Sequence, residues 1–322
     1  MKNQKWIYPM YVYSLIFPLS STSWMNMWIG LEINLMMFIM ILNKNKSPFL
    51  NESMMKYFLI QASGSLIFLI TLNLNTIYFN EWPNINALIP PLALMMKMGL
   101  APIHMWVPEV AKNFSFMSLF VFLTLQKINP LLILFSSWFK LIFYMAMINI
   151  IMGSMMAINE NSMNKLLIFS SIANSGWMLN SLMISNYLFL LIFSTYTFLM
   201  YNMIHMNKYL KIKWMSQLKS MNLYKKMSIY MMFMSLSGLP PLLGFAPKWM
   251  LIKNMINYMP IYTWMLITFS TVSTFFYIKT SMLMMMPAQE KKKWMFFNMK
   301  NFNYILITFI NMMGICLFSI II

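Results

Sequence analysis

Hydrophobic residues occur along this chain in long runs, and short clusters of Pro, Asn, Ser or Lys separate one run from the next. A helix that crosses a membrane takes about 20 consecutive apolar residues, and most of these runs approach that length. The pattern therefore predicts an all-α, polytopic membrane protein with about 11 transmembrane helices. The predicted spans are 7–20, 24–42, 54–73, 85–107, 115–138, 140–157, 163–183, 186–207, 228–255, 261–284 and 302–321.

The composition excludes a soluble globular protein. Of the 322 residues, 60% are hydrophobic and 9% are charged, whereas a soluble domain has about 45–50% apolar and about 25% charged residues. Spans of about 20 residues leave only about 100 positions for termini and loops, so no large extramembrane domain fits. We therefore expect residues 1–322 to form a single transmembrane domain.

The charge is strongly basic and comes from lysine alone. The chain has 23 basic residues, all Lys, and six acidic residues, all Glu, for a net charge of +17. A nucleic-acid partner is not expected, because such binders concentrate charge on a solvated face of a folded domain. The lysines instead collect in the loops after even-numbered spans, as in residues 208–226. The positive-inside rule then places the N-terminus on the side of synthesis and the C-terminus on the opposite side.

The residue usage points to a mitochondrial gene. The chain has 43 Met and neither Arg nor Asp, which suggests an A+T-rich gene read in a code with an extra Met codon. Residues 1–8 lack the Arg-rich presequence of an imported protein and the cleavage site of a secreted one. We expect an inner-membrane protein with its N-terminus in the matrix and its C-terminus in the intermembrane space.

The single cysteine, Cys316, limits the cofactors that this chain is expected to hold. One Cys cannot form an internal disulfide, and it cannot supply the thiolates of an iron–sulfur cluster or a structural zinc site. We therefore expect no redox cofactor and no metal to be bound by this chain.

Two predicted spans contain residues that interrupt a helix. Residues 97–104 (KMGLAPIH) and 237–244 (SGLPPLLG) combine Gly with Pro, and Pro removes a hydrogen bond from the helical ladder. Inside a membrane, such breaks persist only where protein or water satisfies the freed backbone groups. Discontinuous helices of this kind line the ion pathway of many transporters.

Four ionisable residues fall well inside the predicted spans: Glu32, Lys97, Lys127 and Lys248. A charge at the centre of a bilayer costs about 2.5–3.5 kcal/mol on insertion scales, so each of them needs an explanation. In a structural interpretation, Glu32 pairs with one lysine and the others bind carbonyls of the broken helices or reach the membrane surface. Three lysines with one carboxylate favour a proton or ion route, and which lysine pairs with Glu32 is left open.

The chemistry of such a route follows from burial and charge. Loss of water favours the neutral form of a lysine and an approaching carboxylate favours its charged form, so a change in their distance moves a proton. Imidazole changes charge near neutral pH, which makes His104 a further candidate for the route. The alternative for His104 is a structural polar residue that satisfies freed backbone groups.

Several blocks closely resemble the chain 2 family of animal mitochondrial NADH–ubiquinone oxidoreductase. They occur in the family's order over essentially the whole chain, and the KMGLAP and GLPP sequences are specific in combination. The blocks are 28–34 (WIGLEIN), 97–110 (KMGLAPIHMWVPEV), 125–127 (LQK), 170–177 (SSIANSGW) and 238–249 (GLPPLLGFAPKW).

The resemblance implies an antiporter-like core subunit of respiratory complex I, with Glu32 and Lys97 as a modulating pair and Lys127 and Lys248 as proton relays. It also places His104 at the family's histidine. NAD, FMN, iron–sulfur clusters and ubiquinone are then expected in other subunits. The expected partners are neighbouring antiporter-like and small membrane-arm subunits, together with phospholipids such as cardiolipin.

Two other functions compete with a proton-pumping subunit. The chain could be a membrane-arm scaffold whose buried charges only specify packing, in which case neutral variants lose assembly rather than pumping. It could also be a stand-alone cation/proton antiporter, in which case the isolated chain would exchange ions. The hydrophobic sequence without a soluble domain argues against the second alternative.

Overall fold

The computed structural model describes residues 6–43, 47–77, 89–137, 139–221 and 223–285, together with residues 308, 311, 312 and 314. Helices account for the regular structure in these ranges, and β pairing is limited there to one isolated bridge between Ser162 and Trp214. The all-α prediction is therefore confirmed. Most of the predicted final span and the beginning of the predicted fourth span lie outside the described residues.

The described helices are numbered here in chain order, and two short 3₁₀ turns, Leu125–Lys127 and Met215–Ser220, lie between them. The helices are α1 (Ile7–Ser20), α2 (Trp24–Leu42), α3 (Pro48–Ile77), α4 (Ile89–Met98), α5 (Trp106–Ala111), α6 (Phe116–Leu123), α7 (Ile128–Ser137), α8 (Phe139–Ala157), α9 (Met163–Ile184), α10 (Asn186–Leu210), α11 (Leu223–Ser237), α12 (Phe245–Ile256) and α13 (Pro260–Met285).

Several of these helices can cross a membrane. By length and composition, the described residues contain six segments that are long and apolar enough, and three further apolar helices are shorter. A polytopic membrane protein is confirmed, and the number of 11 spans stays a prediction. The six long segments are Trp24–Leu42, Pro48–Asn73, Phe116–Ser136, Met163–Ile184, Asn186–Leu210 and Pro260–Met282.

The chain divides into two compact units, Met1–Met145 and Ala146–Ile322. In the first unit, α1 packs against α2 and α3 packs against α4. In the second unit, α10 packs against α9, α11 and α12. The single transmembrane domain expected for residues 1–322 stays a prediction.

Of the six long apolar segments in the described residues, helix α9 is the most buried, with 89% of its 18-residue apolar stretch inside the protein. It nevertheless carries buried serines, and each of their hydroxyls donates to the carbonyl three residues earlier. This local bond gives each hydroxyl an acceptor within its own helix, so small polar residues fit a crowded interior. The bonds run from Ser170, Ser171, Ser175 and Ser181 over 2.6–2.8 Å.

Close packing of α8 on α9 depends on Gly153. A Cβ atom at this position would lie 2.5 Å from the backbone nitrogen of Ala173 and 2.9 Å from the carbonyl oxygen of Phe169. These neighbours are backbone atoms of α9, and they cannot change conformation to make room as a flexible side chain can. A side chain at residue 153 therefore has to push the two helices apart.

Gly153→Ala should destabilise the second unit, because overpacking of a tight contact costs about 1–3 kcal/mol. We expect less folded protein in the membrane and a lower midpoint of thermal denaturation. The matched control is Met155→Ala on the same helix, where the side chain is 52% exposed. Equal abundance and stability of the two variants would contradict this account of the α8–α9 contact.

Candidate functional site

The first predicted break lies at the end of α4. Gly99 has a positive φ of 66°, which favours glycine because it has no Cβ atom. Its N–H donates to the carbonyl of Met96 at 3.2 Å, and the N–H of Leu100 donates to Met95 at 3.0 Å. These two bonds form the helix-ending arrangement known as a Schellman motif, so the helix stops within the sequence that predicted a break.

The second predicted break, at the end of α11, has the same backbone arrangement. Gly238 has a φ of 84°, and its N–H donates to Ser235 at 3.1 Å. The N–H of Leu239 donates to Met234 at 3.2 Å. Both interrupted helices therefore end at a glycine followed by leucine, as their similar sequences would suggest.

Side chains from other helices satisfy carbonyls that these endings leave free. At the first break, Nε2 of Gln61 on α3 donates to the carbonyl of Lys97 at 2.8 Å. At the second break, Nζ of Lys248 donates to the carbonyls of Leu236 at 3.1 Å and Ser237 at 2.9 Å. The C-terminal end of a helix carries partial negative charge, so it is a favourable place for an ammonium group.

A third break was missed in the sequence, where residues 115–138 were predicted as one span. The structure has α6, then the 3₁₀ turn Leu125–Lys127, and then α7. At the junction, Thr124 has φ −115° and ψ −75°, and its hydroxyl donates to the carbonyl of Phe120 at 2.7 Å. The available indication was Pro130, which cannot donate to the carbonyl four residues earlier.

Glu32 and Lys97 come together in the first unit. Oε1 of Glu32 on α2 lies 3.5 Å from Nζ of Lys97 on α4, and their side chains are 25% and 4% exposed. The question left open by the sequence, which lysine pairs with Glu32, therefore has a structural answer. Since Lys97 is buried and the two groups are only 3.5 Å apart, their interaction changes with small movements of either helix.

The other two lysines occupy different surroundings. Lys127 is buried in the first unit, at the end of the 3₁₀ turn, with 4% of its surface exposed. Lys248 belongs to the second unit, where its Nζ lies 5.5 Å from the ring centre of Trp177. A cavity beside it is lined by Lys248, Trp177, Asn174 and Tyr277 among others, and its volume of about 10 Å³ is close to what one water requires.

His104 is buried between α4 and α5, with 1% of its surface exposed. Its Nδ1 lies 3.1 Å from the carbonyl oxygen of Pro102, and its own carbonyl accepts the N–H of Val107 at 3.0 Å. The residue thus binds the backbone of the broken segment, as its structural interpretation requires. Its part in a proton route stays a prediction.

The described ranges contain no group of three or more His, Cys, Asp or Glu side chains that could hold a metal ion. The predicted site residues are instead lysines with one glutamate and one histidine. Such groups can bind, release and pass protons.

Comparison with known proteins identifies relatives over nearly the whole chain. Residues 21–276 match the family described as the NADH:quinone oxidoreductase/Mrp antiporter transmembrane family. The NADH-ubiquinone oxidoreductase chain 2 of Locusta migratoria is 34% identical over 287 residues, covering 86% of this chain and 84% of the relative. The protein of the same name from Anopheles gambiae is 33% identical over 329 residues, covering 97% and 96%.

The fold is also found in a solved structure. A chain of respiratory complex I from Thermus thermophilus, determined with bound aureothin, superposes with a TM-score of 0.75. The two chains are 17% identical, and the match covers 96% of this chain and 77% of that one. The similarity is one of fold.

Lys248→Met should lower stability, because it removes the ammonium donor from the carbonyls of Leu236 and Ser237. An unsatisfied buried acceptor costs about 1–3 kcal/mol. Lys248→Arg keeps donors near the end of α11 and should retain more stability. The measurement is the thermal denaturation midpoint of each variant in the native membrane, and equal midpoints for Lys248→Met and the unmodified protein would contradict the structural role.

Proposed function

The chain belongs to the NADH–ubiquinone oxidoreductase chain 2 family, and from this premise we propose that its buried lysines and Glu32 carry protons through the membrane arm of complex I. The protein is a multi-pass subunit of the inner mitochondrial membrane. It takes part in proton-pumping NADH:ubiquinone oxidation together with the other subunits of the complex.

The Glu32–Lys97 pair is the observation that carries this proposal. The two groups are 3.5 Å apart, with the Lys97 side chain buried and the Glu32 side chain a quarter exposed. A carboxylate close to a buried amine favours the protonated amine, and its withdrawal favours release of the proton. A movement of α2 relative to α4 thereby converts a change in distance into the uptake or release of one proton at Lys97.

Lys127 is proposed as the relay residue within the same unit. It lies at the end of a turn that divides α6 from α7, so its backbone is held at a break rather than inside a continuous helix. Deep burial removes it from bulk water, which suits a residue that exchanges protons only with groups inside the protein.

Lys248 is proposed as the relay residue of the second unit. In the described geometry its ammonium donates to the carbonyls of Leu236 and Ser237. Passing on a proton requires it to leave at least one of these carbonyls. The adjacent cavity of about 10 Å³ would allow one water to take over a hydrogen bond as the lysine moves.

The remaining parts of the proposal concern surroundings and orientation. His104 is a further group that binds and releases protons. The N-terminus faces the matrix, and the C-terminus faces the intermembrane space. The chain holds no redox centre, so NADH, FMN, iron–sulfur clusters and ubiquinone react in other subunits. Its neighbours are antiporter-like and small membrane-arm subunits, together with phospholipids such as cardiolipin.

The scaffold alternative has one specific observation in its favour, the binding of Lys248 to helix-end carbonyls. In that alternative, each buried charge completes packing and carries no proton. The two functions make opposite predictions for neutral variants that still assemble, because only a proton carrier changes proton movement per assembled complex.

Lys97→Met and Glu32→Gln should each depress coupled NADH:ubiquinone turnover, because either variant removes the charge interaction that switches the protonation of residue 97. The assay is NADH oxidation and proton uptake by assembled complex in sealed vesicles, normalised to complex content. Lys213→Met, at an exposed position, is the control for loss of a lysine charge. Unchanged pumping per electron in both variants would contradict the switch.

Lys127→Met should block proton passage while the complex still assembles, since Met is similar in length to Lys and avoids burying a charge. The measurement is the proton flux in reconstituted vesicles, with native gels to establish assembly. Full proton flux at normal assembly would refute the relay role. Loss of assembly alone would favour the scaffold.

A further inference from the structure

We infer that Ser14, Asn34, Gln126 and Asn129 form a positioning junction that holds Lys127 in place relative to Glu32. We call these four residues the polar junction. They come from α1, α2, the 3₁₀ turn and α7, and all lie in the first unit. The inference rests on the proposed function, in which Glu32 and Lys127 act in one proton route.

The centre of the polar junction is a reciprocal pair of side-chain amides. Nδ2 of Asn34 donates to Oε1 of Gln126 at 3.1 Å, and Nε2 of Gln126 donates to Oδ1 of Asn34 at 3.2 Å. Asn34 is 3% exposed. Two opposed bonds between planar groups permit only a narrow range of relative positions, so they fix α2 against the turn in direction as well as distance.

The second half of the polar junction ties in α1. Pro18 lies inside α1 and cannot donate to the carbonyl of Ser14, four residues earlier. Nδ2 of Asn129 donates to that carbonyl at 3.3 Å. The hydroxyl of Ser14 donates to the carbonyl of Tyr11 at 2.6 Å and lies 3.4 Å from Oδ1 of Asn34.

The positions of these residues in the chain connect the polar junction with the charged groups. Asn34 is two residues beyond Glu32 on α2, which turns the two side chains about 200° apart around the helix. Glu32 contacts Lys97 of α4 and Asn34 contacts Gln126, so α2 lies between the ion pair and the turn. Gln126 immediately precedes Lys127.

Helix α2 is therefore connected both to Lys97 and to the turn before α7, and a movement of α2 affects both connections. A shift of α2 that changes the distance between Glu32 and Lys97 also pulls on the amide pair and hence on the turn that bears Lys127. Apolar side chains would allow sliding, whereas breaking the hydrogen bonds of this part-buried pair leaves the amide of the buried Asn34 unsatisfied. The amide pair thus acts through Lys127 and takes no proton itself.

The test uses a length-conserving exchange. Asn34→Gln lengthens one partner by a methylene and Gln126→Asn shortens the other, so each single variant mismatches the pair while the double variant keeps the summed length. Misplacement of a reacting group by about 1 Å can lower a rate on the order of a hundredfold. We expect each single variant to lower coupled NADH:ubiquinone turnover per assembled complex by less than this, about tenfold. The double variant should recover turnover to within about threefold of the unmodified complex.

A matched control distinguishes positioning from general packing. Asn180 is a buried residue whose Oδ1 accepts a hydrogen bond from Tyr262 at 2.5 Å, and it has no place in the proposed route. Asn180→Leu should lower thermal stability without a change in turnover per assembled complex. If the single amide variants behave in the same way, or if the double variant is no better than the singles, the polar junction is structural only and the inference is overturned.

Lys127→Met, assayed in the same vesicles, keeps the two proposals separable. If Lys127→Met blocks proton flux while the amide variants pump normally, the inference fails and the proposed function stands. If Lys127→Met pumps normally, the proposed function fails first. If Lys127→Met blocks proton flux and the double variant recovers the turnover that the single variants lose, both the proposed function and the polar junction are supported.

Discussion

The structure depends above all on the need to satisfy backbone hydrogen bonds where water is scarce. In a membrane, each backbone N–H or C=O group without a hydrogen-bond partner costs on the order of several kcal/mol, as any buried unpaired polar group does. A helix meets this need by itself only while it is unbroken. At three interruptions within the described residues, a side chain from another helix supplies a hydrogen bond, and these side chains belong to or lie next to the ionisable groups of the candidate site.

Three such side chains illustrate the principle. Gln61 binds the carbonyl of Lys97, Lys248 binds carbonyls of Leu236 and Ser237, and Asn129 binds the carbonyl of Ser14 that Pro18 leaves free. The same interruption that costs a backbone bond thus creates a polar place inside an apolar bundle. A buried lysine or amide is tolerable there because it replaces the missing bond.

For Lys248 this means that stability and function are coupled. Its ammonium satisfies the end of α11, and in the proposed mechanism it must also move to pass on a proton. Structural and proton-carrying interpretations of a buried charge are therefore not exclusive at this residue. Glu32 and Lys97 differ, because their 3.5 Å separation leaves an interaction that responds strongly to distance.

Local patterns in the sequence correctly predicted the helical membrane character and the two glycine–proline breaks, since these follow from run length and backbone chemistry. The same patterns marked Glu32, Lys97, Lys127 and Lys248 as candidates; the structure buries Lys97 and Lys127 and leaves Glu32 and Lys248 partly exposed. The sequence patterns missed the break before Lys127, where Pro130 was the only indication. The pairing of Glu32 with Lys97, the binding of Lys248 to the end of α11, and the contact of Asn34 with Gln126, 92 residues away, are visible only in the folded chain. Such contacts depend on which helices become neighbours, and long-range packing rather than local pattern decides that.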